Sequence, residues 1–180
     1  KPIIIVPDTA RTTSYSVDWS LPDTTNPAVN YELVEMWNDT AIADPANDFT
    51  GWKSDGFILS STAHSGESSF YSDSVVPAER YIQSNHPYAV SAGDTLKFYA
   101  RFDIIDGYDY AYVMVSTDGE NFVSIPGNLS TDYDPYGHNG GYGITGQSEG
   151  WIQGKYDLSG YAGQEVYFRL SYSDYDITYC

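Results

Sequence analysis

His64, His86 and His138 are the only imidazoles among the 180 residues, so histidine chemistry can be read through quickly. A zinc hydrolase of the His-Glu-x-x-His type needs two imidazoles one helical turn apart, with the glutamate as base. That pattern is absent, and so is the Gly-x-Ser-x-Gly turn that exposes a nucleophilic serine. Twenty-five Asp and Glu residues make carboxylate pairs abundant by chance. A glycosidase needs two carboxylates at one defined separation, which sequence alone does not fix. No residue is therefore assigned a catalytic role, and the chain is expected not to be an enzyme. His64 is expected in a turn, serving packing. Binding chemistry is better supplied. Eighteen Asp residues offer the hard oxygen donors that calcium prefers, although Asp103-Ile-Ile-Asp106-Gly-Tyr-Asp109 lacks the spacing of an EF-hand loop. The run Asp132-Tyr-Asp-Pro-Tyr-Gly-His-Asn139 sets flat rings beside carboxylates, which is what sugar recognition requires. Tyr133, Tyr136, Asp132 and Asp134 are the ligand-binding candidates, with simple loop packing as the equal alternative for the two tyrosines. Tyr142, Trp37, Trp52 and Trp151 could extend such a platform, but Trp52 and Trp151 are expected in the core.

The elements that must position these residues are strands. In 108–116, Asp109, Ala111, Val113 and Val115 fall on one face and Tyr108, Tyr110, Tyr112 and Met114 on the other. Both faces are largely apolar, so a central strand covered on both sides is expected. Asp118-Gly119 then reads as a hairpin turn, with 121–125 returning. Further strands are expected at 56–61, 68–71, 95–102, 151–156 and 165–172. No window carries a helical period, and 16 Gly with nine Pro cut the chain into short segments. The fold class is all-β, an antiparallel β-sandwich or jelly roll. The stretch 127–149 is a long loop, and long ordered loops are often functional. Residues 1–40 read as a separate β segment, with strands at 3–6, 15–19 and 31–36; residues 41–180 form the main domain.

Composition excludes whole classes of partner. Eight Lys and Arg against 25 acids give a net charge of −17, which opposes nucleic acid and anionic membranes. Hydrophobic residues at 41% and aromatics at 16% oppose disorder. No stretch approaches the ~20 apolar residues of a membrane helix. Cys180 is the sole cysteine, so no disulfide forms within the chain. The opening Lys1-Pro-Ile-Ile-Ile-Val-Pro7 has too short an apolar core for a signal peptide, and the chain reads as a piece of something longer. Two sequons, at Asn38 and Asn128, match a pattern frequent by chance.

A family resemblance rests on specific residues. They are Trp52 with Asp55-Gly-Phe57, His64-Ser-Gly66 with Ser69-Phe-Tyr71, Gly93-Asp-Thr-Leu96, and Tyr108-Asp-Tyr-Ala-Tyr-Val113 with Ser116-Thr-Asp-Gly119. Gly143-Ile-Thr-Gly146 with Gly150-Trp151, Asp157-Leu-Ser159, Tyr161-Ala-Gly-Gln164, and Arg169 with Ser173-Asp174 complete the series. In this order they resemble the MAM-like jelly-roll domain of immune inhibitor A-like secreted metallopeptidases and related bacterial surface proteins. Tyr15-Ser-Val-Asp-Trp19 and Tyr31-Glu-Leu-Val-Glu-Met36 resemble the opening strands of a fibronectin type III-like repeat. The resemblance implies an accessory domain without an active site, extracellular or on the cell surface. It implies a structural calcium between the opening segment and the last strands. By position Asp48 and Asp174 are the implied ligands, with Asp44 or Asp176 as helpers and a backbone carbonyl near His64 and Ser65. Four solvated surface acids are the plain alternative. The family pattern carries one more strand after the position of Asp174, so the sandwich is expected to lack its last strand.

Two functions follow as expectations. One is a non-catalytic, calcium-stabilised extracellular module that binds glycan or protein or spaces its neighbours. The other is a filament subunit in which Ile3, Ile4, Ile5 and Val6 form a donor strand for a neighbouring copy's open edge.

Overall fold

Alternating side chains, not helical periods, organise the chain, and a computed structural model describes residues 43–72 and 79–175 in full, with the backbone of two further strands near the amino end. Two compact units divide it, Lys1–Ala43 and Asp44–Cys180. In the first, β1 (Ile3–Ile5) pairs antiparallel with β2 (Asp18–Ser20), placing Ile4 opposite Trp19. Val6 and the strand expected at 31–36 lie outside the described residues.

Thirteen strands are described in the second unit: β3 (Trp52–Asp55), β4 (Ile58–Ser60), β5 (Ser69–Tyr71), β6 (Glu79–Ser84), β7 (Tyr88–Ala89), β8 (Thr95–Ala100), β9 (Asp103–Ile104), β10 (Tyr110–Ser116), β11 (Val123–Ser124), β12 (Gly143–Ile144), β13 (Gly146–Gln147), β14 (Ile152–Asp157) and β15 (Glu165–Ser173). The main sheet runs β11-β10-β15-β6-β3, with β12 also on β10 and β7 also on β15. All these ladders are antiparallel.

β10 is central, as its two apolar faces require. Val113 and Val115 enter the core, joined there by Val166 and Phe168 of β15. A second layer covers them. β8 pairs with β14 so that Leu96 opposes Tyr156 and Phe98 opposes Gly154, and these residues turn toward the core. β9 and β13 continue the same ribbon in a shifted register, Gly146 opposite Ile104. Asn128 of the second sequon is built into this layer. Its Nδ2 donates to the Gln153 carbonyl at 2.8 Å, and its Oδ1 accepts the Lys155 N–H at 2.6 Å.

The hairpin after β10 shows why Asp118-Gly119 turns. The Asp118 carboxylate accepts from Asn121 Nδ2, the Asn121 and Glu120 N–H groups and the Ser116 hydroxyl, with Gly119 at φ 76°. Those bonds, the Asn121 side chain foremost, hold its carboxyl far below the usual range. On the outer face of the main sheet the Arg169 guanidinium lies between two rings, 4.5 Å from Tyr81 and 3.8 Å from Phe122, and donates to Gln83 Oε1 at 2.7 Å.

Candidate functional site

The expected loop at 127–149 contains two short strands, β12 and β13, and its middle part crosses the face of β10 that points away from the core. Tyr110 is the anchor. Its ring is fully buried, and its hydroxyl donates to the Tyr133 carbonyl at 2.8 Å. Gly143 passes directly over that ring, where a Cβ would fall 2.4 Å from the aromatic carbons. The next outward residue, Tyr112, accepts the Gly140 N–H at 2.9 Å. Thr131 and Gly143 exchange both backbone hydrogen bonds and close the base of the loop.

Within that base, polar side chains do the work that a hydrophobic core does elsewhere. Asp134 Oδ1 accepts the N–H groups of His138 and Asn139 at 2.7 and 3.0 Å. These bonds, Asn139's first, hold the Asp134 carboxyl below the ordinary carboxylate range. Asn139 Nδ2 donates to the carbonyls of Thr131 and Tyr133, and its Oδ1 accepts from Gly141. A loop capped this way loses little further entropy when it meets a ligand.

What the loop presents is aromatic. Tyr133, Tyr136, Tyr142 and Tyr175 are 53%, 62%, 44% and 49% exposed. The His138 imidazole lies flat on Tyr175, centroids 4.0 Å apart and 5° from parallel, and edge-on to Tyr108 at 4.5 Å. Its Nδ1 is 3.1 Å from the Tyr108 carbonyl. Tyr136 packs against Tyr108 at 5.4 Å. The buried Asp109 carboxylate accepts the Tyr175 N–H at 2.8 Å and so ties the residue after β15 to this group. Of the four ligand-binding candidates, Tyr133, Tyr136 and Asp132 are exposed in the loop, and Asp134 is a structural cap. His138, Tyr108 and Tyr175 belong to the group and were missed. His138 stood in the same run and could have been included; Tyr175 arrives only through the fold.

Three of the four calcium candidates lie among the described residues. Asp44 Oδ1 accepts the Ala46 N–H and its Oδ2 the Trp52 indole N–H, at 2.7 and 2.6 Å. Asp48 Oδ1 accepts the Thr50 N–H at 2.6 Å. The loop through His64 and Ser65 does reach this turn: Ser68 donates to the Ala46 carbonyl at 3.0 Å, and Gly66 sits against Asn47. Asp174 lies 3.8 Å from the buried Arg80 guanidinium. Asp176 is outside the described residues. Among the described residues no three of His, Cys, Asp and Glu are grouped to hold a metal ion. The 44–48 turn thus offers two carboxylates, Asp44 and Asp48, each already accepting hydrogen bonds from the protein. His64 packs flat on Tyr99 at 3.6 Å with Trp151 edge-on at 6.1 Å, while Trp52 meets Phe70; both tryptophans are half-buried.

Residues 44–179, three quarters of the chain, match the model of the immune inhibitor A-like MAM domain. The chain belongs to that family. This MAM domain is 38% identical over 109 residues to the pre-pro-metalloprotease PrtV of Vibrio cholerae serotype O1, in strain M66-2 and equally in strain ATCC 39315 / El Tor Inaba N16961. The aligned part is 59% of this chain but 11% of the relative, so the chain spans about a tenth of the curated proteins it matches. No solved structure gives a significant match. The match starts at residue 44, which leaves the fibronectin-like reading of residues 1–40 without support from it. The all-β antiparallel sandwich agrees with a MAM domain.

Proposed function

We propose that this MAM domain is a non-catalytic, extracellular module of a larger exported protein, and that its 131–143 loop holds a glycan chain against Tyr133, Tyr136 and Tyr175. The observation that carries this reading is the rigid loop itself: exposed rings on a backbone fastened to Tyr110, Asp134 and Asn139. Nothing in the core requires four tyrosines to stand 44–62% exposed, and a preformed aromatic surface suits the apolar face of a sugar ring. The match to a pre-pro-metalloprotease supports an exported setting. A glycan array probed with the whole chain, followed by titration of the hits, tests the assignment. Tyr136→Ala and Tyr175→Ala should each weaken binding about tenfold, the equivalent of one good ring contact, while the sandwich stays folded. Binding unchanged in both variants, or no glycan bound at all, would remove it.

A further inference from the structure

The ribbon of β8 and β14 carries a feature at odds with the rest of the protein. In its register Lys97 stands directly opposite Lys155, and Tyr99 directly opposite Gln153. Because Leu96, Phe98 and Tyr156 face the core, these residues lie on the outer face. Lys97, Lys155 and the nearby Arg101 are all exposed. Two of the chain's eight Lys and Arg thus meet on one face of a protein with net charge −17, and the exposed Arg101 follows just past the end of β8. None of the three has a carboxylate within ion-pair distance among the described residues. Like charges directly opposed across two strands destabilise a sheet. The acid on this face, Asp157 opposite Thr95, turns its carboxylate to the Ser159 N–H and hydroxyl instead, so among the described residues the lysine pair has no ion-pair partner.

Beside the pair is a flat aromatic surface. Tyr99 is 45% exposed, its ring held parallel to His64 at 3.6 Å, and Trp151 lies edge-on to that imidazole at 6.1 Å. Tyr99 and Lys97 point the same way, two residues apart, or about 7 Å along the strand.

We propose that this outer face is a second binding site, for acid-bearing sugars of a glycan. The carboxylate of one sugar would lie between Lys97 and Lys155, Arg101 would assist, and the ring of a neighbouring sugar would stack on the Tyr99–His64 pair. Three cations cannot offset the repulsion between a −17 protein and a densely charged polyanion, so nucleic acid is disfavoured and a carboxylate spaced by sugar rings is preferred. The flat rings favour a sugar over an acidic peptide. This site is independent of the tyrosine loop.

Calorimetric titration of the whole chain with trigalacturonate tests it, with cellotriose, a glutamate-rich peptide and a short oligothymidylate run alongside. Trigalacturonate should bind, and added salt should weaken it. Lys97→Gln and Lys155→Gln should each reduce affinity about fivefold or more while raising the melting temperature by about 1–3 °C, because each relieves the opposed charges. Tyr99→Ala should also weaken binding; Tyr136→Ala, in the other site, should not. A merely structural role would not lower affinity and raise stability together. No binding of trigalacturonate, equal binding by the lysine variants, or tighter binding of the peptide or the oligothymidylate would each overturn the proposal.

Discussion

The hydroxyl of Tyr110, a fully buried residue of the central strand, donates to the backbone carbonyl of Tyr133 in the exposed loop at 2.8 Å. One side chain therefore belongs to the fold at its ring and to the candidate site at its oxygen. Tyr110→Phe keeps the ring and removes the bond, while Asn139 Nδ2 still serves the Tyr133 carbonyl. The expected loss is about 1 kcal/mol of stability, with faster amide exchange at 133–139 than in β15. Exchange that speeds up evenly across the sandwich would show that the bond serves the core instead.

Asp134 makes the loop sensitive to acid. Its carboxyl is held below the ordinary range in the folded protein, so the stability it gives is present above the unfolded value of about 3.9 and is lost as pH falls through the folded value. The His138 and Asn139 amide signals should shift together in that acid window, and Asp134→Asn should abolish the step. An identical step in the variant would assign it to another group.

Tyr156 is buried by the ribbon and the 127 turn. Its ring stacks on Phe98 at 5.6 Å, and among the described residues its hydroxyl finds no hydrogen-bond partner. Burial pushes that hydroxyl up to about 12. Removing a buried polar atom that lacks a partner lifts a desolvation penalty, so Tyr156→Phe should raise stability by about 1 kcal/mol. A drop in melting temperature would show that the oxygen is satisfied in solution.

The turn at 44–48 separates calcium from plain hydrogen bonding. Asp44 binds Ala46, which sits at φ 55° in the left-handed region, and the Trp52 indole. Asp44→Ala should cost about 1–2 kcal/mol through those two bonds. If calcium also uses this turn, the loss should be larger with Ca²⁺ present than in chelator, and chelator should lower the melting temperature of the unaltered chain. Equal losses in both conditions, with an unmoved melting curve, would leave hydrogen bonds as the whole explanation.

Much of the sandwich could be read from the chain because its strands announce themselves. β10 and β15 carry apolar residues at alternate positions, and both were expected within one or two residues of their ends. β6 was missed, although it lies beside β15 near the middle of the sheet. Its inward residues are Arg80, Ile82 and Ser84, all nearly unexposed, so a single apolar residue marks a buried face. β3, with Trp52 and Ser54 on its inner side, was hidden for the same reason. The tyrosine loop was legible because rings and acids crowd one short run. The basic face was not, since Lys97 and Lys155 meet only through strand register. A whole-chain charge of −17 averages that face away, because composition carries no positions.

β15 is late in the chain yet central in its sheet. Phe168 bonds to Ser84 across 84 residues, Arg169 to Gln83 across 86, and Ser171 to Met114 across 57. Until β15 is made, β6 and β10 have no shared neighbour, and the main sheet cannot close. Folding that waits for long-range pairings is slow, and it leaves strand edges open meanwhile. In a ribosome-bound or translocating chain, that delay keeps the domain threadable: the sandwich locks only after nearly all of it has passed through.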